Sequence, residues 1–168
     1  MNLWDAFMFV LKGTGGITIS KRFIWNGCKE KNVPPEYVHF KPEEVLGLDP
    51  EYVAKLDMAT AKTAELSQEH RRVPFIITSG FRTPEKNQSL PGSSPSSSHL
   101  KGLGTDLLVS NSHEVWLMVA SLISVGITRI IIYVDKEWNP THIHNDVDPD
   151  KVSQIIAIRQ EASNVQNT

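Results

Sequence analysis

The sequence predicts a single α+β domain with a small central antiparallel sheet flanked by helices. Three observations carry that expectation. A helix-periodic segment opens at Asp49-Pro50, short β-branched runs occur at Val73–Thr78 and Arg129–Val134, and 168 residues suffice for one core but not for two comfortable ones.

Residues 1–35 are read as an N-terminal arm or extension. They carry Gly13, Gly15 and Gly16, the basic and aromatic stretch Lys21-Arg22-Phe23-Ile24-Trp25, and Pro34-Pro35, and they fit an arm, an extra hairpin or an interaction segment. The domain proper spans 36–160. Asp49 is a good N-cap and Pro50 fits a first helical position, while Val53, Leu56, Ala59, Ala64 and Leu66 recur at near-helical spacing. A helix of roughly twenty residues, ending near His70-Arg71-Arg72, is expected. Val73–Thr78, closed by Ser79-Gly80, reads as a buried strand. Ser89–Ser98 holds six Ser, two Pro and one Gly, the composition of a mobile surface loop, and its place before His99 makes it a candidate flap. A second strand follows at Gly104–Val109, then a helix through Glu114–Ser124, capped by Asn111 or Ser112 and stopped near Gly126. Arg129–Val134 is a third strand. Thr141–Asp146 alternates as a final strand with one set of side chains facing inward. From Asp150 the apolar Val152, Ile155, Ile156 and Ile158 suggest a helical run fading into a polar tail, 161–168.

Composition narrows the function. A formal charge of −2 with 21% charged residues is no signature for a polyanion partner, so nucleic acid is not expected. No apolar run approaches the ~20 residues that cross a bilayer, and the apolar start Met1–Leu11 contains Asp5 without a preceding basic cluster, a poor signal peptide. Neither a membrane partner nor secretion by a leader is expected. One cysteine, Cys28, excludes an intramolecular disulfide and a cysteine-rich zinc module, so any metal must be held by histidine and carboxylate. His39, His70 and His113 lie outside any motif and are expected at the surface.

The chemistry concentrates in Ser97-Ser98-His99-Leu100-Lys101-Gly102-Leu103-Gly104-Thr105-Asp106 and His142-Ile143-His144-Asn145-Asp146. A catalytic zinc takes three protein ligands and keeps one position for water. On a strand His142, His144 and Asp146 share one face, so His144 binding with His142 beside it is as natural as both binding. Gly102 and Gly104 allow the loop before Asp106 to turn tightly. Loop and strands can thus bring His99, Asp106 and His144 together from different directions.

These segments resemble the M15 peptidases, the zinc D-Ala-D-Ala carboxypeptidases, dipeptidases and L-alanyl-D-glutamate endopeptidases of the hedgehog/DD-peptidase fold. Ser97, His99, Gly102, Gly104 and Asp106 fall in register with the family pattern, with Gly104 where the family usually has Ala. Ser79-Gly80-Phe81-Arg82-Thr83-Pro84-Glu85-Lys86-Asn87 resembles its Ser-Gly-aromatic-Arg segment, and Thr141-His142-Ile143-His144-Asn145-Asp146 its closing motif. The resemblance implies one Zn²⁺ held by His99, Asp106 and His144, with Arg82 beside it to bind a substrate carboxylate or stabilise an oxyanion. Where many members place an acidic base, this chain has Thr141. His142 is the favoured base by likeness to members with a His-x-His motif, Glu137 and Asp135 are the alternatives, and Asp146 is an acceptor that orients a ligand imidazole. Tyr133 and Trp138, flanking the closing motif, are candidates for the substrate cleft.

The function the resemblance implies is hydrolysis of an amide bond in the peptidoglycan stem peptide, in a phage endolysin or virion-associated lysin. Such a protein resides in the host cytoplasm before release to the wall, or in the virion, with residues 1–35 available to virion or tail proteins. A non-catalytic metal-binding structural or tail-assembly protein is the alternative from another class. A D-Ala-D-Ala dipeptidase or carboxypeptidase is the third reading.

Overall fold

The computed structural model describes residues 37–160; the expected arm over 1–35, Cys28 included, and the polar tail over 161–168 lie outside the described residues. Helix α1, Pro50–Leu66, starts as its sequence dictates: Pro50 occupies the first turn and the Asp49 carboxylate accepts the Tyr52 N–H at 3.0 Å. It stops short of the expected His70. Ser67 leaves the helical region and His70 turns the chain with φ 51°. Strand β1 is only Ile77–Ser79, shorter than the expected Val73–Thr78, whose start at Val73-Pro74 cannot join a ladder through the proline nitrogen. A five-residue helix, α2 (Pro84–Gln88), is capped by Thr83, and a 3₁₀ turn, Ser98–Lys101, leads to β2, Gly104–Leu108. Helix α3, Ser112–Ser124, is capped by Asn111, which accepts the Glu114 N–H at 2.9 Å. Strands β3 (Arg129–Val134) and β4 (Pro140–Asp146) follow where expected.

The run after Asp150 is a correction. It is not helical but forms β5, Gln154–Arg159, lying parallel to β3 from Arg129↔Gln154 to Val134↔Arg159. The sheet order is β1-β2-β4-β3-β5, antiparallel throughout except for this last pair. An apolar cluster at positions 152, 155, 156 and 158 does not by itself separate helix from strand; a pairing partner far away in sequence does. His39 also departs from expectation. Its Nδ1 lies 3.1 Å from Asp57 of α1, whose carboxylate also accepts the His39 N–H at 2.7 Å.

Helices α1 and α3 cover one face of the sheet. Leu56, Ala59, Met118 and Leu122 pack with Leu107, Ile130 and Ile143 into a core that excludes water. One polar knot is set into that layer: the Tyr52 hydroxyl lies 2.7 Å from Asn145 Oδ1 and 2.8 Å from Thr105 Oγ1, and Asn145 Nδ2 donates to Thr105 Oγ1 at 3.0 Å. Every member is buried and paired, which removes the penalty of burying polar groups. Because strand side chains alternate, the neighbours of these core residues face the other way, and there they build a cleft. Among the described residues no helix is long and apolar enough to cross a membrane.

Candidate metal centre

Sheet register assembles the site. Across β2, β4 and β3, three rungs align: Gly104, Asp146 and Arg129; Asp106, His144 and Ile131; Leu108, His142 and Tyr133. The middle rung supplies a carboxylate and an imidazole side by side. The third group comes from the 3₁₀ turn, where Gly102 closes the turn in the left-handed region with φ 69°. A Cβ at Gly102 would fall 2.3 Å from the Gly47 carbonyl oxygen, so only glycine fits while the His99 turn stays this close to residue 47.

His99 Nε2, Asp106 Oδ1 and His144 Nδ1 form a triangle with sides of 3.2, 3.3 and 2.9 Å. Donors in tetrahedral directions at zinc bond lengths of about 2.0–2.1 Å stand roughly 3.3 Å apart. The triangle therefore fits such an ion closely. The outer nitrogens fix the ring tautomers: His99 Nδ1 donates to the Gly80 carbonyl oxygen at 2.7 Å, and His144 Nε2 donates to Asp146 Oδ2, on the first rung, at 2.9 Å. Two imidazole lone pairs and a carboxylate oxygen are thereby aimed at one another. That convergence is repulsive until a cation, either a metal ion or a proton on His144, lies among them.

The surrounding charges follow the same logic. Asp106 Oδ2 accepts from Arg82, whose Nε also donates to Ser79 Oγ at 2.8 Å. Burial opposes ionisation of Asp106, but hydrogen bonds from His144 and His99 outweigh it and hold its carboxyl far below the usual carboxylate range. Burial likewise disfavours a charged His144, yet its bonds to Asp106 and Asp146 raise it above an ordinary imidazole. Asp146 is lowered, burial being overcome by His144 and by Arg129, which donates to its Oδ2. A methyl group at Gly104 would be tight: a Cβ would lie 3.0 Å from Ser98 Cβ and 3.2 Å from His144 Cε1, so alanine there requires these neighbours to give by a few tenths of an ångström.

A cleft of about 500 Å³ opens over the triangle. Arg82, His99, Asp106, Tyr133, His142 and His144 line it, so the structure brings these sequence-selected residues together. His142 stacks on Tyr133, ring centroids 4.4 Å apart, with its Nδ1 3.1 Å from Thr141 Oγ1. Burial, first of all, lowers its pKa. The loop from Ser89 to Ser98 forms one wall through Leu90, Pro91, Gly92, Ser93, Ser94 and Ser97, and buried Asn87 fastens it by donating to the Ser94 carbonyl at 2.9 Å.

Asp135, Glu137 and Trp138 are not in the cleft lining. The Asp135 carboxylate accepts the N–H groups of Glu137 and Asn139, holding the β3–β4 turn; Glu137 is exposed beside Lys136; and Trp138 is exposed with Arg159 5.9 Å from its ring. Sequence reasoning missed Arg129 and Lys151, which also line the cleft. Arg129 opens a plain apolar strand, and only its cross-strand register with Asp146 gives it a place here.

A family model described as Peptidase M15 matches residues 38–146, a stretch that contains all three motifs. Comparisons with curated proteins and with solved structures gave no match.

Proposed function

The chain belongs to the M15 peptidase family, and on that premise we propose that it is a zinc-dependent peptidase hydrolysing an amide bond of the peptidoglycan stem peptide, acting as a phage endolysin or virion-associated lysin. The observation that carries this reading is the donor triangle of His99, Asp106 and His144 at the floor of an open cleft: three protein ligands and space for a substrate. A zinc ion held there supplies a polarised carbonyl and an acidified water.

The chain's own residues divide the remaining work. His142, with its pKa lowered by burial, is neutral at physiological pH and accepts the proton lost by the attacking water, then returns it to the leaving amine. Arg82 carries a positive charge next to the ligand carboxylate, where it attracts the oxygen on which negative charge develops. Tyr133 holds the His142 ring by stacking, and its burial raises the phenol pKa, so the hydroxyl stays a hydrogen-bond donor toward the peptide. His99 and His144 keep the tautomers that present their lone pairs because Gly80 and Asp146 hold the opposite nitrogens.

The test is mass spectrometry of products after zinc-loaded protein is incubated with purified peptidoglycan and soluble muropeptides, beside a chelated sample. New peptide termini that vanish with chelator are expected, and their identity names the bond. Stoichiometric zinc without any product would favour the structural, non-catalytic reading.

A further inference from the structure

Among the described residues three Arg or Lys side chains line the cleft: Arg82, Arg129 and Lys151. Two are paired with carboxylates, Arg82 with Asp106 and Arg129 with Asp146. Lys151 differs. Its Nζ donates to the Ser96 hydroxyl at 3.2 Å, and among the described residues it has no carboxylate partner. The nearby Lys101 makes the contrast plain, since both Asp148 and Asp150 accept from it. Asp106 is the one acidic residue in the described lining, and both of its oxygens are engaged, one toward the imidazoles and one by Arg82.

Apart from any metal held by the triad, the Lys151 ammonium is thus the cation of the described lining that no carboxylate pairs. An ammonium has three donors, and Ser96 takes one. Lysine binds as a point charge without demanding bidentate geometry, so it selects charge more than shape. We propose that Lys151, with the Ser96 hydroxyl, is a subsite for a substrate carboxylate distinct from the metal-binding triad, and that the cleft prefers peptides with a free carboxylate over their amidated counterparts. The proposal rests on the reading of the cleft as a peptide site. Lys151 stands on the β4–β5 connection and Ser96 on the loop before His99, and their hydrogen bond places the ammonium beside the loop that walls the cleft.

The experiment is calorimetric titration of the zinc-loaded full chain with a hydrolysis-resistant probe, backbone N-methylated L-Ala-γ-D-Glu-L-Lys-D-Ala, as the free acid and with its carboxylates converted to carboxamides. The acid is expected to bind about tenfold more tightly, as one charge-assisted hydrogen bond allows, with the gap narrowing as salt rises. Lys151→Met should reduce the gap to less than about twofold, and Lys151→Arg should keep most of it. Equal binding of the two probes by the parent protein, or an unchanged gap in Lys151→Met, overturns the subsite. Binding requires no turnover, so the two readings separate: discrimination through Lys151 without cleavage of any stem peptide refutes the peptidase alone, whereas cleavage without discrimination refutes the subsite alone. Thermal melts of both variants report folding independently.

Discussion

His144 and Asp146 stand two residues apart on β4, and the His144 Nε2–H donates to Asp146 Oδ2 across 2.9 Å. A strand repeats its facing every second residue, so His144 and the carboxylate that holds its ring are neighbours by construction. Arg129 holds the same oxygen from the next strand. Asp146→Ala should leave all three donors present while freeing the ring to rotate. Metal affinity is expected to fall about 10- to 100-fold, measured by competition with a chromophoric chelator; an unchanged affinity would show that the bond does not orient the ligand.

His99→Ala removes one corner of the triangle outright. The variant is expected to lose stoichiometric zinc and all measurable hydrolysis. Elemental analysis after gel filtration is the check, and one tightly held zinc per chain in that variant would sink the ligand set.

His142→Ala is expected to keep the metal and to lose roughly 10²–10⁴-fold in kcat. The base acts in its neutral form, and burial lowers its pKa below the ordinary 6.5. At saturating zinc, activity should therefore rise with pH through a value under 6.5. The acid limb should disappear or move in His142→Ala, and a retained limb with near-normal turnover would assign the base elsewhere.

Protons and metal compete at His144. Its pKa is raised above 6.5 by Asp106 and Asp146 against the pull of burial, so in the metal-free protein the ring is charged below that raised value and must lose a proton when a metal binds. Apparent zinc affinity should fall as pH drops through that range. The same shift stabilises the metal-free fold fully below about 6.5, and that contribution is lost as pH rises through the folded value. Calorimetry of zinc binding in buffers of different ionisation enthalpy counts the released protons; no release at pH 6.5 would contradict the coupling.

Gly102→Ala places a methyl group 2.3 Å from the Gly47 carbonyl oxygen at a residue with φ 69°. Strain and clash together should cost roughly 3 kcal/mol. The urea midpoint should fall with an unchanged slope. A wild-type midpoint would mean that the turn can move away from residue 47.

Local signals were readable where they are self-contained. Asp49-Pro50 marks the start of α1 because a cap and a first-turn proline act within four residues, and Arg129–Val134 reads as a strand from its β-branched run. That His99, Asp106 and His144 belong together was legible through the resemblance of the motifs that carry them, and the fold brings their donor atoms within 4.8 Å of one another. What stayed hidden depends on distant partners. β5 is a strand because β3 lies beside it, Arg129 belongs to the site because Asp146 faces it, and Lys151 matters because Asp148 and Asp150 pair with Lys101 instead. Glu137 and Asp135 look alike as acids in a string; only the folded turn reveals that one is exposed and the other holds backbone N–H groups.

The knot of Tyr52, Thr105 and Asn145 acts as an indexing pin for the active strand. An apolar core would accept β4 shifted by two residues, with one branched side chain replacing another, but such a slide would carry His142 into the place of His144. A shift by one would put Ile143 where the His144 ring stands. Asn145 can satisfy both ends of its amide at one setting only, against Tyr52 and Thr105, so the position of the chemistry on one face is fixed by a lock on the other.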